Sequence, residues 1–93
     1  MRIIAIYPGR FQPFGKNHKS AYDELSKIFG VENTFIATSD KTGENSPFNF
    51  NEKKKIIEKF GIPKKNIILT KNPYKADEIT SKFDVNSTAV VFM

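Results

Sequence analysis

Pro8-Gly9-Arg10-Phe11-Gln12-Pro13-Phe14-Gly15-Lys16-Asn17-His18 follows an apolar run, Ile3-Ile4-Ala5-Ile6-Tyr7, and leads into a segment with apolar residues at Ala21, Tyr22, Leu25, Ile28 and Phe29. The run before it reads as a buried strand. The segment after it reads as a helix, because its apolar residues recur at three- and four-residue intervals. A strand, a glycine-containing turn and a helix start gather backbone N–H groups, Arg10 and the only histidine, His18, at one point. The first N–H groups of a helix lack internal partners and the helix dipole is positive there, so the arrangement suits an anion, most often phosphate. Two plainer readings stand beside this one. A Pro/Gly turn is ordinary punctuation between a strand and a helix, and a lone histidine on an inner helix face is commonly a packed residue.

Alternation continues outward from this stretch. The first strand covers roughly residues 2 to 7, and a helix from about Asn17 to Phe29 ends at Gly30, with Asp23 and Lys27 spaced as an i,i+4 pair. Thr34 to Thr38 reads as a second strand and Ser39 to Pro47 as a polar loop. Asn49 with Glu52 three residues later marks a helix start, Ile56, Ile57 and Phe60 give its inner face, and Gly61 and Pro63 close it. Asn66 to Leu69 reads as a third strand. Asn72-Pro73 looks like an N-cap and N1 pair opening a helix with Ala76, Ile79 and Phe83 on one face, and Thr88 to Met93 is a fourth strand. Strands alternating with helices imply βαβ units. The expectation is an α/β, Rossmann-like three-layer fold with a mostly parallel sheet of about four strands. A ligand belongs outside the carboxyl ends of those strands, near a reversal of strand order.

Composition bounds the rest. Ninety-three residues make one small domain, 1–93, with a modest core for which nine Phe supply bulk. The absence of cysteine excludes disulfides, thiolate metal sites and a cysteine nucleophile. No signal peptide and no membrane-spanning apolar run is evident, so the expectation is a cytoplasmic protein without membrane association. The net charge is +5, with one local cluster at Lys53-Lys54-Lys55. That cluster reads as a solvated helix face. No nucleic-acid partner is expected, since basic residues are dispersed rather than concentrated with aromatics.

The stretch from Gly9 to His18 resembles the first signature of the H-x-G-H nucleotidyltransferases. More specifically it is similar to the G-R-F-Q-P-F-H-x-G-H form of archaeal-type nicotinamide-mononucleotide adenylyltransferases. Gly9 to Phe14 match residue for residue and His18 matches the second histidine, while Gly15 replaces the first histidine and Asn17 replaces glycine. The resulting Gly15-Lys16-Asn17-His18 tetrad is similar to that of nucleotidyltransferases of large tailed phages. Ser46-Pro47-Phe48-Asn49 with Glu52-Lys53 resembles the family's later N-P-F-T-x-x-E-R, with Lys53 for arginine. The family's I-S-S-T-x-x-R segment has no counterpart, so the resemblance implies a fold truncated relative to the family.

The resemblance implies transfer of a nucleotidyl group, AMP by preference and CMP as the second choice, from a nucleoside triphosphate to a small phosphorylated acceptor, releasing pyrophosphate. It implies catalytic roles for His18 and Asn17, phosphate contacts from Gly9, Arg10, Phe11, Gly15 and His18, and an acceptor site at Ser39, Asp40 and Phe48. Phe50 reads instead as core, and Phe48 reads equally as core or as a stacking platform. Mg²⁺ is expected to arrive with the triphosphate and not in a protein metal site. The competing reading is a nucleotide-binding module that does not catalyse. Weak nucleotide binding, little turnover and homo-oligomerisation through the unfinished edge are expected of the 93-residue chain.

Overall fold

Strand β1 (Arg2–Pro8) forms where the apolar run was read, and its centre, Ile4 to Ile6, is fully buried. Continuous rather than alternating burial is the mark of a strand covered on both faces. In the computed structural model, which describes residues 1–93, β1 is followed by helix α1 (Lys16–Phe29) and strand β2 (Thr34–Thr38). Helix α2 (Phe50–Lys59), strand β3 (Ile67–Leu69), the short helix α3 (Asp77–Thr80) and strand β4 (Thr88–Phe92) complete the chain. The sheet order is β3-β2-β1-β4 and every pairing is parallel. The protein is therefore an α/β, Rossmann-like fold, and its strand order reverses between β1 and β4.

Two apolar clusters make three layers. On one sheet face α1 and α2 bury Tyr22, Phe50 and Ile57 against Ile36 and Ile67, with Phe11 and Phe14 from the β1–α1 turn. On the other, Ala76 and Ile79 cover Ile4, Ile6 and Ala37, with Phe83 at the margin. No helix is long and apolar enough to cross a membrane.

Both major helix starts behave as their chemistry dictates. At α2 the Asn49 side chain accepts from Glu52 N–H at 2.9 Å and Glu52 accepts from Asn49 N–H at 3.0 Å, a complete capping box. At α1 the cap residue is Gly15, which has no side chain to contribute. His18 closes the turn alone, its Nδ1 accepting from Gly15 N–H at 2.9 Å. Gly30 and Gly61, after α1 and α2, both take positive φ, +93° and +91°, a region that glycine enters without a Cβ penalty.

Several expectations fail in instructive ways. Asn72-Pro73 does not open a long helix. Asn72 instead nucleates a turn, its carbonyl accepting from Lys75 and Ala76 N–H and its side chain from Tyr74 N–H. Ala76 then sits at φ +50°, so helical geometry begins only at Asp77 and lasts four residues. Asn66 precedes β3 in a 3₁₀ turn, where its buried amide donates to the carbonyls of Val31 and Thr34. Asp23 pairs with Lys19 at 2.6 Å rather than with Lys27, and this is the one ion pair in the molecule. Ile28, one of the apolar residues whose spacing marked α1, is 70% exposed. The cluster at Lys53 to Lys55 is not a uniform solvated face either, because Lys53 is 1% exposed. Phe50, Lys53 and Ile57 lie three and four residues apart, on the side of α2 turned to the sheet.

Candidate functional site

The turn after β1 is built around Phe11. Its backbone takes φ +49° and its ring is buried, edge-on to Tyr7 and to His18 and tilted against Phe14. Gly9 is required beneath that ring, since a Cβ there would meet Phe11 Cζ at 2.8 Å. With Phe11 turned inward, the residues on either side reach the loop before α2. Arg10 Nη2 donates to Asn45 carbonyl at 2.6 Å and to Ser46 Oγ. The Gln12 amide donates to Phe48 carbonyl at 2.7 Å and accepts from Phe48 N–H at 2.8 Å. The first signature thus holds the second in place. Gln12 was not singled out from the sequence; its two-sided bond is made across 36 residues and leaves no local trace.

Between these segments, at the carboxyl ends of β1, β2 and β3, lies a cavity of about 420 Å³. Gly9, Arg10 and Gln12 form one wall, Ser39, Lys41 and Ser46 another, Lys53 lies against it from α2, and Lys71 to Tyr74 close the far side. Four cations and no carboxylate line it. Lys53 is the most constrained of the four: its Nζ donates to Thr38 Oγ1 at 2.8 Å, which occupies one of three ammonium donors. Burial pushes its pKa below the ordinary lysine value, Asp40 opposes that shift, and Arg10 adds to it. A buried ammonium without a carboxylate partner is costly, and an anion in the cavity would supply what the fold withholds.

The site residues read from sequence are distributed as follows. Gly9, Arg10 and Ser39 line the cavity. Asp40 lines an adjoining hollow of about 660 Å³, and its Oδ1 accepts from Phe50 N–H at 2.8 Å. Phe48 is half-buried, its main chain fixed by Gln12. Phe11 offers a ligand backbone only, because its ring is in the core. Gly15, Asn17 and His18 form the first turn of α1, beside the cavity rather than in its lining. Asn17 is exposed. His18 is half-buried against Tyr7, Phe11 and Phe14. With Nδ1 accepting from Gly15, the proton of the neutral ring sits on Nε2, which leaves a donor at the helix N-terminus.

No group of three or more His, Asp or Glu side chains lies close enough together to hold a metal ion. The donors gathered around the β1–α1 turn and the cavity are backbone N–H groups, His18, Arg10 and ammonium groups.

No family model matches the chain, and no solved structure matches it. Among curated proteins, a phosphopantetheine adenylyltransferase of Buchnera aphidicola subsp. Schizaphis graminum is 36% identical over 67 residues. That span is 72% of this chain and 39% of the relative. The chain thus spans less than half the length of the curated relative it matches.

Proposed function

We propose that this protein transfers the adenylyl group of ATP to a phosphomonoester. An oxygen of the acceptor phosphate forms a bond to the α-phosphorus, the bond from that phosphorus to the bridging oxygen breaks, and pyrophosphate leaves. No protein atom enters a covalent intermediate, so the demands on the chain are alignment of two phosphates and neutralisation of charge on the leaving group. The observation that carries this reading is the juxtaposition of the first turn of α1, with its Nε2–H donor, and a cation-lined cavity at the strand ends. The triphosphate lies over Gly15 to His18, and the acceptor phosphate lies in the cavity against Arg10 and Lys53. The name of the curated relative supports adenylyl transfer over cytidylyl transfer.

Arg10 suits the junction of the two sites. Only its Nη2 is engaged, with Asn45 and Ser46. The remaining guanidinium donors present a planar fork that a lysine cannot reproduce. Pyrophosphate release with ATP, magnesium and a phosphomonoester, run beside calorimetry for ATP alone, tests the reading. Transfer that falls at least tenfold in Arg10→Lys supports it. Undiminished ATP binding and transfer in Arg10→Ala removes Arg10 from the site, and ATP binding without transfer under any acceptor favours a binding module instead.

A further inference from the structure

Counting charge in the cavity leads past a single phosphate. Its lining carries Arg10, Lys41, Lys53 and Lys71 against no acidic side chain. None of the four belongs to the molecule's one ion pair. Two acids stand outside the lining, bordering the adjoining hollow: Asp40, which accepts from Phe50 N–H, and Glu78, which accepts from Lys71 N–H at 2.9 Å. Position divides the four cations into two sets. Arg10 follows β1 and Lys53 is hydrogen-bonded at the end of β2. Lys41 and Lys71 lie farther out, in the segments after β2 and β3, and together they also line the adjoining hollow. A phosphomonoester carries at most two negative charges, which Arg10 and Lys53 match. Lys41 and Lys71 are left facing the same cavity.

Pro73 and Tyr74 are the only side chains of the lining without a charge or an amide or aliphatic hydroxyl group. A cationic ring would meet like charge there. We propose that the acceptor is a compact, polar molecule bearing two anionic groups, its reacting phosphate at Arg10 and Lys53 and a second phosphate or carboxylate at Lys41 and Lys71. This rests on the reading of the cavity as the acceptor site.

Calorimetry at fixed ionic strength with glycerol 3-phosphate and 3-phosphoglycerate tests it, because the two share a scaffold and differ by one carboxylate. The protein is expected to bind 3-phosphoglycerate at least tenfold more tightly. In the double variant Lys41→Ala/Lys71→Ala that preference is expected to vanish while glycerol 3-phosphate binds as before. A control, Lys64→Ala/Lys65→Ala, removes the same charge from a surface turn outside the cavity and is expected to keep the preference. Equal affinity for the two compounds, a preference that survives in the cavity variant, or one lost equally in the control overturns the inference while leaving the acceptor site intact. Binding of neither compound overturns the acceptor reading itself.

Discussion

Lys53 shows how a single side chain can serve a site at the expense of the fold. Its ammonium is buried with one hydroxyl partner. Lys53→Met keeps the length and removes the charge, so the variant is expected to be more stable by about 1 kcal/mol, raising Tm by roughly 4–8 °C, and to lose phosphomonoester affinity. Thermal melts and calorimetry read the two effects separately. The pH dependence has a definite sign. The folded pKa lies below the unfolded one, so the unfolded state holds more protons between the two values and stability rises with pH across that window. The advantage of Lys53→Met is therefore full below the folded value and shrinks as pH climbs from there toward the ordinary lysine value; an advantage that grows with pH would contradict this. Lys53 was hidden in the sequence because it sits in a run with the half-buried Lys54 and the exposed Lys55, although its spacing from Phe50 and Ile57 carried the inward direction.

His18 and Gly15 separate folding from binding at the same scale. His18→Ala is expected to stay folded in a thermal melt and to lose about tenfold in ATP affinity, the worth of a charge-assisted bond. Gly15 has extended backbone, φ −132°, and an added Cβ would find only His18 Nδ1, at 3.9 Å. Gly15→Ala should therefore leave Tm nearly unchanged. A fall in ATP affinity in that variant would mean that the ligand approaches the backbone there, and unchanged affinity would mean that it does not.

At the scale of elements, the β1–α1 turn and the α2 entry loop act as one unit. Gln12→Ala removes both bonds to Phe48 and is expected to expose Ser46 to Asn49 to proteolysis and to weaken acceptor binding several-fold, since Arg10 alone then ties the loop to the β1–α1 turn by hydrogen bonds. Limited digestion of the two proteins checks this. These elements also show what sequence can carry. The capping box of α2 and the glycine stops were legible because their chemistry is local. The break at Asn72 to Ala76 was not, because an N-cap followed by proline and a tight asparagine turn share the same residues. Only the burial of Ala76 against Ile4, Ile6 and Ala37 accompanies the turn in the folded chain.

For the whole molecule, parallel order and the position of the site at the strand ends followed from strand–helix alternation. The cavity itself lies over β1, β2 and β3, beside rather than inside the crevice where strand order reverses between β1 and β4. Strand β4 is the outer strand next to β1, and Ile3, Val90, Val91, Phe92 and Met93 are 38–60% exposed there. An apolar edge with unpaired backbone groups is a template for pairing. Concentration-dependent self-association is expected in size-exclusion chromatography and should diminish in Val91→Lys; a monomer at all concentrations would contradict it. The central claim, that a nucleotide site at α1 adjoins an acceptor site in the cationic cavity, is tested most directly by amide chemical shifts of the ¹⁵N-labelled protein during titration with magnesium-ATP and, separately, with glycerol 3-phosphate. The account predicts that ATP moves the amides of Gly15 to His18 and that the phosphomonoester moves those of Arg10, Ser39 to Lys41 and Lys53. Shifts confined to surface lysines such as Lys64 and Lys65, or no shifts with either compound, would contradict it.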